Sequence, residues 1–256
     1  MDGNAVTTYD GLHYNNSMAN CDQVITKDCS NRYKMAVLAR EENGKKVTTV
    51  YLNQQKIEMN PAAMQLKIND EDMHLSHNIV HQLKDIERNV VAEIRKTSDG
   101  FFHVDSPTHS IRVTCNANEL IVFSSPVHSG RLCGLCGTQT GDRTNDLVGP
   151  RQCSLPSNIM GVAYQLRQPE GCIQPIDDQQ LHLIRDRCIG KMSPILSIHT
   201  RDVGDEDECT LSRNKMVHRG SRRCFSIDPV VKCSPTCRPA QLQEVNVSVT
   251  GTLMMS

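Results

Sequence analysis

The chain contains no tryptophan, four phenylalanines and five tyrosines in 256 residues. There is thus no tryptophan with which to build an aromatic platform for saccharides. Charge of one sign is also lacking: the net value is −1, so there is no global field to hold nucleic acid or an anionic membrane. An electrostatic partner must use a local patch. No apolar run approaches the roughly 20 residues of a membrane span. The opening MDGNAVTTYDGLHY has no charged segment followed by an apolar one, as a secretory leader would. Also missing are a Gly-x-Ser-x-Gly elbow, a His-Glu-x-x-His pair and a glycine-rich phosphate loop, so no catalytic constellation emerges. Isolated Ser, His and Asp residues carry no argument.

What the chain has in excess is cysteine, 12 in all. A chain of this length can bury a sizeable core without covalent help, so size does not force disulfides. An even, high cysteine count therefore points to an oxidising, extracytoplasmic compartment and a secreted protein. The triplets Asn15-Asn16-Ser17 and Asn246-Val247-Ser248 fit that compartment and make Asn15 and Asn246 candidate glycosylation sites. With no leader visible, the expected origin is a mature fragment or the C-terminal portion of a longer secreted precursor.

The first two thirds read mainly as strands. YKMAVLAR, KKVTTVYLNQQKIEMN, AMQLKIND, GFFHVDS, HSIRVTCNANELIVFSS and MGVAYQL are separated by turn signals such as Asn43-Gly44, Asn60-Pro61, Asp99-Gly100 and Ser106-Pro107. This spacing predicts a mainly β fold, an antiparallel sandwich or barrel. Ile79, Leu83, Ile86 and Val90 recur at helical spacing, which leaves DEDMHLSHNIVHQLKDIERNVV as either a helix or a long polar hairpin. After Cys172 the texture changes. PIDDQQLHLIRDRCIGKM looks amphipathic and helical, and the acidic run Asp205-Glu206-Asp207-Glu208 follows it. Cys209, Cys224, Cys233 and Cys237 then frame a compact segment. The expected organisation is one domain over 1–172 and a cysteine-rich, partly helical module over 173–256 whose last stretch frays.

The densest chemistry lies in CGLCGTQTGDRTNDL, from Cys133 to Leu147. Cys133-Gly-Leu-Cys136 has the spacing of a dithiol redox site, but a redox reading needs a βαβ setting and a reduced pool. In a strand-rich, cysteine-dense chain the pair reads as half-cystines. Zinc is not supported either, because a second Cys-x-x-Cys at ribbon spacing is missing. His74, His77 and His81, with Asp70, would share a helix face and could hold zinc if that helix forms; the competing reading is that they are simply the wet face of an amphipathic segment, opposite Ile79, Leu83, Ile86 and Val90. Arg213, Lys215, His218, Arg219, Arg222 and Arg223 form the only dense basic patch. It is a candidate surface for sulfated glycans or an acidic receptor module, or a partner for the acidic run just upstream.

Three ordered landmarks, VTTYDGLHYNNSMANCDQVITKDC, CGLCGTQTGDRTND and GVAYQLRQPEGC, together resemble a von Willebrand factor type D domain across residues 6 to 172. The segment ECTLSRNKMVHRGSRRCFSIDPVVKCSPTC is similar to the C-terminal tail of arthropod vitellogenins, the egg-yolk lipid-transfer proteins. The resemblance implies pairing of Cys29 with Cys133 and of Cys21 with Cys172. Cys136 would pair with a cysteine upstream of this chain, with Cys115 or Cys153 as internal alternatives. It also implies a structural calcium site made by Asp10, the Asp142 carbonyl, Asn145 and Asp146. Thr138 and Thr140 stand where acidic or amide ligands are common, so weak binding is expected, roughly 10⁻⁴ to 10⁻³ M. The competing reading is that Asn145 and Asp146 cap a turn.

By the same resemblance the chain is a non-enzymatic extracellular module of a nutrient reservoir and lipid carrier found in hemolymph and yolk. Its partners would be the upstream lipid-binding domains of the same precursor, together with an oocyte endocytic receptor or acidic glycans bound through Arg219, Arg222 and Arg223. The alternative is an adhesive or clotting protein that multimerises through intermolecular disulfides. A disulfide isomerase acting through Cys133 and Cys136 is a third.

Overall fold

The computed structural model describes residues 1–166, apart from 3, 19, 31–33, 151 and 152, together with the backbone of five strands between 210 and 253. The chain opens with a hairpin of β1 (Ala5–Thr7) and β2 (His13–Asn15). An antiparallel meander follows: β3 (Gln23–Asp28), β4 (Met35–Glu42), β5 (Lys45–Leu52), β6 (Gln55–Asn60), β7 (Gln65–Ile68) and β8 (Glu71–Met73). A second meander comprises β9 (His81–Lys84), β10 (Val90–Lys96), β11 (Phe102–Ser106), β12 (Ile111–Cys115) and β13 (Leu120–Ser124). The chain then returns to the first sheet through β14 (Leu132–Cys133), which pairs with β3 and completes seven strands.

Local sequence explains these meanders. Asn43 and Gly44 sit at φ 52° and 73° between the paired residues Glu42 and Lys45, the two-residue turn whose twist suits a hairpin. In β12, Ile111, Val113 and Cys115 are buried while Arg112 is exposed, the period-two pattern of a sheet with one wet face. Cys115 Sγ lies 3.8 Å from Met59 Sδ, so β12 meets β6 across the interior and the two sheets share one core. Residues Met35 to Ala39 of β4 are buried without alternation, because β4 is covered on both faces.

Three expectations need correction. The helical spacing over 70–90 does not produce a helix: β8, β9 and the start of β10 occupy that stretch. Asn69, Asp70, Asn78 and Arg88 adopt φ of 51°, 68°, 61° and 63°, left-handed positions that break any helix. Ile79 and Ile86 are 59% and 67% exposed, so the apolar stripe is no core face. The stretch 160–166, expected as a strand, begins as a single helical turn, α1 (Met160–Ala163), after the turn formers Pro156, Ser157 and Asn158. It then touches β3 through a single bridge, Gln23 to Gln165.

The third correction concerns the tail, where β19 (Val249–Leu253) is a strand. β15 (Thr210–Arg213) pairs with β18 (Val230–Cys233), while β17 (Arg222–Ser226) lies between β16 (Met216–Arg219) and β19. The helix expected in PIDDQQLHLIRDRCIGKM lies outside the described residues.

Candidate functional site

The Cys-Gly-Leu-Cys-Gly motif is a backbone device. Cys133 is bonded to Cys29, with Cα atoms 5.9 Å apart and a sequence separation of 104. Closing a loop of that size stabilises the fold by about 4 to 5 kcal/mol in the chain-entropy treatment. Just past β14, Leu135 N–H donates to Val24 C=O at 3.0 Å and Cys136 N–H to Ile25 C=O at 2.9 Å. A Cβ on Gly134 would lie 2.6 Å from the Ile25 carbonyl oxygen, so only glycine admits this approach. Cys136 is a buried free thiol whose pKa burial pushes up to about 11. A dithiol needs two exchangeable sulfurs and an accessible thiolate; here one sulfur is bonded to Cys29 and the other is sequestered.

Gly137, at φ +80°, passes over the side chain of Asp146, where a Cβ would fall 2.1 Å from Oδ1. Asp146 is wholly buried. Its Oδ2 accepts from the Thr8 hydroxyl at 2.5 Å and its Oδ1 from Thr138 N–H at 3.2 Å. Burial raises the Asp146 carboxyl above its ordinary range; these hydrogen bonds oppose that, and the nearby Asp10 carboxylate adds to it. Asp10 lies in the turn between β1 and β2. Its Oδ1 accepts from Gly141 N–H at 2.9 Å and its Oδ2 from Thr140 N–H at 3.0 Å, while its carbonyl accepts from Arg143 Nε at 3.0 Å. The start of the chain and the loop after the motif therefore converge on two neighbouring carboxylates.

The other two expected ligands stand differently. Asp142 uses its carboxylate to cap the short turn 143–145, accepting from Thr144 N–H at 2.9 Å and Thr144 Oγ1 at 2.8 Å, which hold its pKa below the usual range. Its carbonyl accepts from Asn145 N–H at 3.1 Å. Asn145 is exposed. Thr140 Oγ1 lies 3.4 Å from Asp10 Oδ2 and 3.5 Å from the Asp142 carbonyl, so a hydroxyl does occupy the place beside both. As a set for a hard cation, the site offers two adjacent carboxylates that repel each other, plus amide and hydroxyl oxygens at the rim. Sequence reading missed Thr8 and Gly137. Gly137 was signalled by its place directly after the second cysteine, whereas Thr8 carried no mark.

Elsewhere, Asn15 is exposed at the end of β2, and its neighbour Asn16 is buried, donating from Nδ2 to Gln23 Oε1 at 2.8 Å. Cys21 and Cys153 are both disulfide-bonded. Cys115 is a buried free thiol, so neither internal alternative pairs with Cys136. Cys172 and Asn246 lie outside the described residues. His74 and His77 are exposed on the connection between β8 and β9, and His81 is on β9, so the helix that would align them is absent. The pairing of β16 with β17 sets Arg219 opposite Arg222 and His218 opposite Arg223.

The family model of the von Willebrand factor type D domain matches residues 1–152. The chain belongs to this family. The type D domain thus takes in the opening hairpin, both large sheets, the Cys29–Cys133 bond and the two carboxylates. Among known proteins the chain is similar to vitellogenin-2 of Fundulus heteroclitus, 20% identical over 250 residues that are 95% of this chain and 13% of that protein. It is similar also to vitellogenin of Ichthyomyzon unicuspis, 21% over 262 residues (96% and 12%), and to vitellogenin-1 of Gallus gallus, 22% over 251 residues (94% and 11%). The chain spans about an eighth of the length of these relatives. It is therefore a type D domain with a further C-terminal segment, distantly related to the C-terminal region of vertebrate vitellogenins.

Proposed function

We propose that this chain is a non-enzymatic, secreted structural module from the C-terminal part of a vitellogenin-like egg-yolk precursor. Nutrient storage and lipid transport belong to the parent protein and its upstream domains. One observation carries the reading: similarity to the vitellogenins runs beyond the type D domain through 94 to 96% of the chain. The tail segment from Glu208 to Cys237 further suggests a parent of the arthropod kind. Multimerisation through intermolecular disulfides needs an accessible thiol, and the free thiols among the described residues, Cys115 and Cys136, are both buried. The parent's full sequence tests the choice. A large amphipathic lipid-binding region upstream supports storage, whereas tandem type D domains would replace it with the multimer reading.

Within the module we assign calcium a structural role. Asp10 and Asp146 would supply charge, with Asn145, the Asp142 carbonyl and Thr140 as neutral oxygens, pinning the opening hairpin to the 137–146 loop. The mutual repulsion of the two carboxylates is what a divalent cation would relieve. Titration calorimetry with millimolar calcium tests this. The absence of both heat and thermal stabilisation would remove the site and leave the hydrogen-bonded clamp alone.

A further inference from the structure

Met1 and Asp2 lie along the outer edge of β13. Asp2 bridges Glu119 in antiparallel sense. Met1 and Leu120 exchange both backbone hydrogen bonds, Met1 N to Leu120 O at 2.5 Å and Leu120 N to Met1 O at 2.9 Å. A mutual exchange of this kind is the hydrogen-bonded pair of an antiparallel ladder. The other edge of β13 pairs with β12, and beyond the Met1–Asp2 contact no strand lies beside the outer edge among the described residues.

That edge is unprotected. The sequence LIVFS holds no charge and no proline, two of the usual devices that blunt an edge strand. Ile121 and Val122 are half-buried and Phe123 is 61% exposed. Peptide groups along a strand alternate in direction. Since Leu120 faces Met1, the N–H and C=O of Val122 and Ser124 face the same way. Ser124 C=O accepts from Gln139 Nε2 at 3.0 Å, and Val122 presents its pair with no partner among the described residues. The α-ammonium of Met1 is itself partly desolvated, which lowers its pKa. A peptide N–H in that place makes the same hydrogen bond with no charge to desolvate.

We propose that in the parent protein the polypeptide N-terminal to Met1 runs as an extended strand antiparallel to β13, adding a sixth strand to the five-stranded sheet. The ladder fixes its register. Met1 faces Leu120, so the residue before it faces Ile121, the next Val122 and the next Phe123. The first and third of these share the outer face with Ile121 and Phe123, where apolar or β-branched side chains fit. The second brings its N–H and C=O to those of Val122. The inference rests on the reading that this chain is carried in a longer precursor.

The test compares, by amide exchange in NMR, the chain starting at Met1 with the chain carrying the five residues that precede it in the parent. Exchange at Val122 N–H should slow at least about tenfold in the longer chain. Ile121 and the residue before Met1 form a non-hydrogen-bonded pair with Cα atoms about 4.5 Å apart, so their Hα protons should show a direct contact. Proline placed second before Met1 lacks the N–H that Val122 C=O requires and blocks the pairing, so it should cancel the slowing while the other strands exchange as before. Equal exchange at Val122 in the two chains would overturn the proposal. So would protection already complete in the shorter chain, or slowing that depends on protein concentration and so reports a second copy. None of these results touches the precursor reading, which the parent's sequence decides separately.

Discussion

Asp10 Oδ1 accepts a hydrogen bond of 2.9 Å from the backbone N–H of Gly141, a residue 131 positions away. The second oxygen holds Thr140 N–H in the same way, so one carboxylate satisfies two donors of the loop. Asp10→Ala leaves both donors without it. In EDTA the substitution should cost at most about 1.5 to 3 kcal/mol, the usual range for hydrogen bonds to a charged group, since both bonds are exposed to solvent. It should also abolish any rise in Tm on adding calcium. Urea unfolding with and without calcium measures both effects, and a calcium response equal to that of the wild type would exclude Asp10 as a ligand.

Gly137 and Gly141 offer a matched pair of substitutions. Both have positive φ, +80° and +83°, but a Cβ on Gly141 meets nothing within 4 Å, whereas one on Gly137 meets Asp146 at 2.1 Å. Gly141→Ala should cost only the backbone penalty, about 1 kcal/mol. Gly137→Ala should cost about 2 to 4 kcal/mol, because Asp146 must also leave Thr8 and Thr138. Equal losses in chemical denaturation would show that Gly137 serves backbone conformation alone.

His128 should make the domain sensitive to acid. It is buried, and its Nε2–H donates to the His109 carbonyl at 2.8 Å. Burial lowers its pKa, outweighing the pull of the His109 carbonyl and of Asp28, and Arg131 adds to the lowering. The unfolded chain protonates this histidine near pH 6.5, above the folded value, so the unfolded state binds more protons. Its contribution is therefore complete above about pH 6.5 and is lost progressively as pH falls from there towards the lower folded value. His128→Gln should flatten the fall in Tm between pH 7.5 and 5; an unchanged slope would place the acid sensitivity elsewhere.

The basic hairpin of β16 and β17 sets Arg219 opposite Arg222 and His218 opposite Arg223. If these residues contact an acidic receptor or a sulfated glycan, reversing Arg219, Arg222 and Arg223 to Glu should weaken retention on heparin. Salt should then weaken the wild type far more than the variant. Equal elution of the two proteins would return the hairpin to a solvated surface.

Strands were legible where burial alternates and turns carry Asn-Gly, as in Ile111–Cys115 and at Asn43-Gly44. The stretch 70–90 was illegible because its period mimicked a helix. What decides the outcome is the left-handed backbone at Asn69, Asp70, Asn78 and Arg88, and Arg88 belongs to no turn-forming type. At the site, Asp10 and Asp146 could be read from the order of the landmarks around them. Thr8 could not, since a threonine on a short strand is unremarked until a buried carboxylate arrives 138 residues later to meet its hydroxyl. Nor was it legible that Asp142 spends its carboxylate on Thr144.

The Cys29–Cys133 bond imposes a schedule on synthesis. Its halves are 104 residues apart, and at about 5 to 20 residues per second the first waits about 5 to 20 seconds for the second. During that wait Cys21 is the nearest oxidisable neighbour of Cys29, and the two can close a short, wrong ring. Thiol–disulfide exchange must reopen that ring before β14 can be secured beside β3. The yield of this module in a secretory compartment should therefore follow the capacity to reshuffle a first disulfide more than the capacity to form one.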